Sequence, residues 1–196
     1  MNDRETKAHT HTRRIVLTGF MCAGKTTIAH ALAARLNCAM LDTDDLITER
    51  AGRSIEAIFD EDGETRFRQI ETKTLRAVLS GDARAVIALG GGTWTLPANR
   101  ALVNKHRCLT VWLDAPFELC WQRIERSHHA RPLARERERA LRLYAARRAD
   151  YALAALRVSV TETRSAEDTA AEIASIIGRQ NFSDEHEESE GENSDG

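Results

Sequence analysis

The segment Gly19-Phe20-Met21-Cys22-Ala23-Gly24-Lys25-Thr26 matches G-x-x-x-x-G-K-[ST]. Glycines let a backbone curl until successive N–H groups point inward at phosphate oxygens, and a following helix adds the partial positive charge of its N-terminus. In such a loop the lysine reaches the β- and γ-phosphates and the hydroxyl ligates Mg²⁺. Those roles fall to Lys25 and Thr26, with Gly19, Cys22, Ala23, Gly24 and Thr27 completing the cradle. The context also fits: Ile15-Val16-Leu17 is a strand run, and residues 26–36 carry Ile28, Leu32 and Leu36 at helical spacing. The motif binds a nucleotide without choosing among phosphotransferases, ATPases and GTP switches. Asn104-Lys105-His106-Arg107 lacks the Asp of the N-K-x-D that reads guanine, and is assigned to a helix surface.

A second set of residues suits an acceptor. In Asp42-Thr43-Asp44-Asp45, an extended backbone would turn residues two apart to the same side, placing Asp42 and Asp44 in one cleft. One carboxylate would hold the water shell of a metal and the other would accept a hydroxyl proton. A plain helix N-terminus is the alternative, and it is the role given to Asp45. Glu64 and Arg68 are i,i+4, and Arg68 and Glu71 are i,i+3, so two carboxylates can hold one guanidinium; a solvated charged face is the alternative. Gly90-Gly91-Gly92 weakens the chain unless a backbone or ligand comes close, with N–H groups offered to an anion. Between two helical patterns, His128-His129-Ala130-Arg131-Pro132-Leu133 reads as a loop able to fold Arg131 over a phosphate. Neither histidine has a partner at zinc spacing.

The chain that must position these groups has 196 residues, enough for one domain. It is 42% hydrophobic and 30% charged, and no apolar run approaches the roughly 18 residues of a membrane span. Cys22, Cys38, Cys108 and Cys120 show no C-x-x-C spacing, which excludes a disulfide scaffold and fits a reducing, cytoplasmic setting. The net charge is −2, but residues 183–196 hold seven acids and no lysine or arginine, so the body is mildly basic. That is too weak for nucleic acid, while an arginine-rich body suits small anions. Residues 1–12 are expected to be a disordered lead, 13–180 the folded domain, and 181–196 a disordered acidic tail. Within the domain, strands at 15–17, 39–41, 85–89, 109–113 and 157–160 alternate with helices at 26–36, 54–59, 64–79, 98–104, 116–124, 135–153 and 165–177. This predicts an α/β/α three-layer sandwich on a five-stranded parallel sheet. Ligands then sit beyond the C-terminal strand ends, where the candidate residues fall.

Over about residues 13–178 the sequence resembles the shikimate kinase family, whose fold is that of P-loop kinases of the nucleoside-monophosphate-kinase type. The resemblance rests on GFMCAGKTT, LDTDDLI, GRSIEAIFDEDGETRFRQIE, GGG, ARPLA and ARRADY, in that order. It implies a soluble enzyme, monomeric, with a lid at about 126–136, phosphorylating the 3-hydroxyl of shikimate from ATP and Mg²⁺, without nucleic acid or membrane. It implies further that Asp44 binds the acceptor hydroxyls and serves as base, and that Asp42 lies by the metal. Arg68, supported by Glu71, and Arg147 bind the acceptor carboxylate, with Arg148 the competing choice. Gly91 donates to substrate, Gly90 and Gly92 shape its turn, and Arg131 touches the phosphates. Arg123, or second Arg126, packs on adenine. The chain departs from the family pattern at Cys22, at Ala134, in a lid about one residue longer, in the acidic tail, and at Thr93-Trp94-Thr95-Leu96, expected beside the acceptor pocket and able to reshape it. Two rival readings are a kinase of another hydroxy or sugar acid, such as gluconate, and a non-catalytic nucleotide-binding module.

Overall fold

Strands made of unbroken apolar runs are stable where both sheet faces are covered, and the three central strands have that character. In the computed structural model of the chain, β1 (Ile15–Thr18) and β3 (Ala85–Ala88) are buried at every position, and β4 (Leu109–Asp114) is buried at all but its ends. The edge strands β2 (Ala39–Asp42) and β5 (Leu156–Ser159) are partly exposed. All pairings are parallel, in the order β2-β3-β1-β4-β5. The described residues are 14–81, 83–127, 132–134 and 136–191, with the side chains of the closing helix described as far as Arg179. The expected lead at 1–12, the tip of the tail, and the loop residues His128, His129 and Arg131 lie outside them.

Seven helices are found among the described residues: α1 (Lys25–Arg35), α2 (Thr43–Ala51), α3 (Ile55–Leu79), α4 (Pro97–Lys105), α5 (Phe117–Arg126), α6 (Arg137–Tyr151) and α7 (Ala166–Gly191). None is long and apolar enough to cross a membrane. Short 3-10 turns form at Thr93–Thr95 and Pro132–Ala134. The main core joins Val16, Leu17, Val86, Ile87, Val111 and Leu113 of the sheet to Ile28 and Leu32 of α1 and Ala170 and Ile173 of α7. A smaller cluster of Ile47, Ile58 and Phe67 holds α2 to α3 beside it.

One helix break agrees with the sequence reading and one helix end differs from it. The patterns at 54–59 and 64–79 are two helical halves of α3, capped by Ser54 and separated, as the sequence reading has it, at Gly63, whose φ of 78° and ψ of 169° leave the helical region. Glycine adopts that backbone without steric penalty, so the chain turns there and the helix resumes on the far side. The closing helix, expected to stop near Ile177, continues to Gly191. Its acidic extension contains no proline, and glutamate is a good helix former; low hydrophobicity marks a segment without a core of its own, not one without helical backbone.

Candidate active site

β1 delivers the chain to Gly19, where φ is 142° and a Cβ would stand 2.6 Å from the carbonyl oxygen of Leu113. Only glycine fits there. Cys22 follows with φ 58° and Gly24 with φ 97°, so the loop curls through the left-handed region twice before α1 begins. Cys22 accepts that conformation with a side chain attached, and its carbonyl receives a hydrogen bond from Arg123 Nη1 at 3.1 Å. Lys25 turns back over the loop and donates to the carbonyls of Gly19 (3.1 Å) and Phe20 (2.9 Å). Burial lowers its pKa, while the nearby Asp44 and Asp42 carboxylates oppose that shift. The Thr26 hydroxyl donates to Asp42 Oδ2 at 2.7 Å.

These groups border a cleft of about 520 Å³, with Arg123 on one side and Arg126 outside the lining. Val160, Arg164, Ser165, Ala166 and Thr169 also line it, and the sequence reading did not assign them to the site. The signal was there: residues 160–165 follow β5 just as the other candidates follow their strands, and Ser165 caps α7 by accepting from the Asp168 N–H at 3.0 Å.

Asp42 and Asp44 do share a cleft, but not by strand alternation. Asp42 is the N-cap of α2 and accepts the Asp44 N–H at 2.9 Å, so Asp44 stands in the first helical turn. The cap and the site are one arrangement: a helix start after a strand end aims consecutive carboxylates at the same opening. Asp45 is exposed, as expected of an ordinary first-turn acid. Thr43 between them is buried and accepts the Gly90 N–H at 2.9 Å, tying the end of β2 to the glycine triplet after β3.

The triplet makes room for side chains of the protein itself. A Cβ on Gly90 would lie 2.6 Å from Asp44 Oδ1, and one on Gly92 would lie 2.5 Å from Arg68 Nη1. Arg68 donates to Glu71 Oε2 (2.8 Å) and Glu64 Oε1 (3.0 Å), so the charged trio is a clamp and not a solvated face. Burial alone would lower the Arg68 pKa; the two carboxylates outweigh it and raise it. The Gly91 carbonyl accepts from Arg147 Nη1 (3.2 Å) and from the Tyr151 hydroxyl (2.5 Å). Asp44, Arg68, Arg147 and the three glycines enclose a pocket of about 90 Å³. Its apolar wall, Met21, Ile55, Phe59, Phe67 and Leu133, was not singled out from the sequence as site-lining. Arg148 faces away, onto Asp114 at 2.8 Å and over the Trp112 ring, which decides between it and Arg147 for this pocket.

The stretch Thr93 to Leu96 does not line the acceptor pocket. Trp94 is buried in the core with Nε1 donating to the Asp150 carbonyl at 2.9 Å, and Arg100 holds the Trp94 and Thr95 carbonyls at 2.9 Å each. An indole needs both apolar cover and a partner for its N–H; the main core supplies the first and the Asp150 carbonyl of α6 the second.

A phosphate loop after β1, a carboxylate pair after β2, a glycine triplet after β3 and two arginines facing them define a P-loop phosphotransferase with an alcohol acceptor. The family model for shikimate kinase matches residues 21–178. A shikimate kinase of Synechococcus sp. (strain JA-3-3Ab) is 43% identical over 166 residues, covering 83% of this chain and 86% of the relative. One from Geobacter sulfurreducens is 42% identical over 84% of this chain and 91% of its own length. Among solved structures, the shikimate kinase from Acinetobacter baumannii in complex with shikimate superposes with a TM-score of 0.80 at 34% identity, over 86% of this chain and 94% of that one. The chain belongs to the shikimate kinase family.

Proposed function

We infer that the protein transfers the γ-phosphoryl group of ATP to the 3-hydroxyl of shikimate, giving shikimate 3-phosphate and ADP. The observation that carries this is the position of Asp44. It borders both the nucleotide cleft and the acceptor pocket, with Lys25 and Thr26 on one side and Arg68 and Arg147 on the other. A carboxylate at that junction meets the hydroxyl that attacks and can take its proton. Two guanidinium groups complement an acid at the far end of the acceptor. Gluconate or another hydroxy acid would satisfy the arginines, but family membership favours shikimate, and a module that only bound nucleotide would have no use for Asp44.

Phosphoryl transfer asks for alignment and charge neutralisation more than covalent chemistry. Loop N–H groups and Lys25 would receive the phosphate oxygens; Lys25 releases the Gly19 and Phe20 carbonyls to do so. Arg123, already braced on the loop, would pack on the base end of the nucleotide, and Arg164 lines the same cleft. The Thr26 hydroxyl and Asp42 carboxylate, 2.7 Å apart, are hard oxygen donors suited to Mg²⁺ with phosphate and water completing its shell. When bound, Mg²⁺ neutralises the charge building on the β- and γ-oxygens. Arg131, outside the described residues, is assigned to the phosphates by the family motif.

A coupled ADP-release assay over shikimate, quinate, gluconate and nucleoside monophosphates tests the reading. Shikimate should be turned over best; turnover of another acid with none of shikimate would overturn the substrate. Arg68→Ala should raise the shikimate KM by about 30-fold or more and leave the ATP KM within about twofold. Asp44→Asn, which keeps the shape and removes the proton acceptor, should cut kcat more than it weakens acceptor binding.

A further inference from the structure

Arg68 meets the acceptor only if its guanidinium is held at the pocket edge, and Glu71 is what holds it. Glu71 is 1% exposed, so its charge depends wholly on what touches it. Oxygen Oε2 accepts from Arg68 at 2.8 Å. Oxygen Oε1 accepts from the Thr93 hydroxyl at 2.6 Å. Thr93 is fully buried and anchored at both ends of its peptide unit: its N–H donates to the Gly90 carbonyl at 3.1 Å, and its own carbonyl accepts from Asn99 Nδ2 at 3.0 Å. The hydroxyl therefore has a fixed origin and a fixed target.

A carboxylate beside a guanidinium prefers the parallel two-bond pairing of fork on fork. Glu71 does not adopt it: Oε1 is held by the Thr93 hydroxyl, while Arg68 Nη2 donates to Glu64 Oε1 at 3.0 Å. We propose that Thr93 is a positioning residue for the acceptor carboxylate: by holding Glu71 Oε1 it limits Glu71 to a single bond with Arg68, and the guanidinium, braced by Glu64 on its other arm, keeps its place in the pocket lining. Without the hydroxyl, Glu71 turns to take Arg68 by both oxygens and draws it off the acceptor. This gives the unusual segment after the glycine triplet a part in acceptor binding that it plays without touching the pocket. The inference rests on the reading that Arg68 binds the acceptor acid.

Thr93→Val keeps the shape and removes the hydroxyl. It should raise the shikimate KM about tenfold, with the ATP KM within about twofold and kcat falling by less than about threefold. Thr93→Ser, which restores the donor, should bring the shikimate KM back to within about twofold of the parent. In a Glu71→Gln background Thr93→Val should add less than about twofold, because its effect passes through Glu71. If the valine variant does not fold, Thr93→Ala replaces it in the same comparisons. A shikimate KM unchanged in Thr93→Val while Arg68→Ala raises it would overturn the proposal and leave the Arg68 reading intact. Additive effects with Glu71→Gln, or equal losses toward both substrates, would also overturn it. An Arg68→Ala variant with unchanged shikimate KM would overturn the underlying reading and the proposal with it.

Discussion

Gly92 and Gly19 are both forced by crowding, but what crowds them differs. At Gly92 the obstacle is the end of the Arg68 side chain, 2.5 Å from a built Cβ. A flexible side chain can move aside, so Gly92→Ala should fold and melt within a few degrees of the parent. Its cost falls on function: Arg68 is displaced from the clamp, and the shikimate KM should rise tenfold or more while the ATP KM stays. At Gly19 the obstacle is the Leu113 backbone carbonyl, and φ is 142°. Neither can yield cheaply, so Gly19→Ala should lower Tm and impair ATP binding together. Thermal melts beside the two KM values separate the cases, and a Gly92→Ala variant as unstable as Gly19→Ala would contradict the argument. At this scale the sequence spoke through residue types at strand ends. It marked Thr93 only as part of an unusual stretch near the acceptor pocket, because a threonine carries no sign of which buried carboxylate its hydroxyl will meet.

At the scale of elements, α5 ties the loop to the body. Arg123 reaches the Cys22 carbonyl, and Cys120, one turn earlier, is buried beneath. Burial pushes the Cys120 thiol up from 9.0 to about 12. Its folded pKa thus lies above its unfolded one, so unfolding releases a proton at alkaline pH. Stability contributed this way is full below pH 9 and falls as pH rises toward 12, by up to about 1.4 kcal/mol per pH unit. In Cys120→Ala the parent will be more stable at pH 8, and the gap will narrow by pH 10 in denaturant melts. A gap that stays constant across that range would show that the thiol ionises alike in both states.

Four of the five strands were legible as apolar runs leading to glycine or an acid, β5 (Leu-Arg-Val-Ser) only as an alternating one, and Pro97 and Ser165 announced their helices. The clamp of Glu64, Arg68 and Glu71 was legible from helical spacing alone. The mechanism by which Asp42 and Asp44 converge was not, because D-x-D reads equally as a strand and as a capped helix; only the turn at Thr43 distinguishes them. The break in α3 was legible, because Gly63 interrupts the helical pattern and the pattern resumes on its far side. The apolar wall of the acceptor pocket draws Phe67 and Leu133 from positions 66 residues apart, a juxtaposition no local pattern encodes.

For the molecule as a whole, the acidic end of α7 balances an arginine-rich body. Among the described residues, those that α7 buries against the core, Thr169, Ala170 and Ile173, precede it. Truncation after Arg179 removes seven acids and no lysine or arginine, turning a net charge of −2 positive. The shortened protein should keep kcat and both KM values within about twofold, yet bind a cation-exchange column at pH 7 that the full chain passes through. A large loss of activity would show that the extension contacts the body at a place that matters for turnover.

The short turn Pro132–Ala134 has neighbours on two sides: Leu133 lines the acceptor pocket, while Ala134 packs in a cluster that includes Phe117 and the half-buried indole of Trp121. The other two tryptophans, Trp94 and Trp112, are 2% and 5% exposed and lie in the main core. The protein therefore carries its own optical gauge. Excited at 295 nm, roughly the red edge where tyrosine is dark, it will emit a constant background from two sealed indoles and a variable signal from one whose polarity follows the turn. Titrating shikimate should change the intensity or wavelength of that emission, Trp121→Phe should abolish the change while turnover persists, and the midpoint of the curve should report acceptor binding with no label attached.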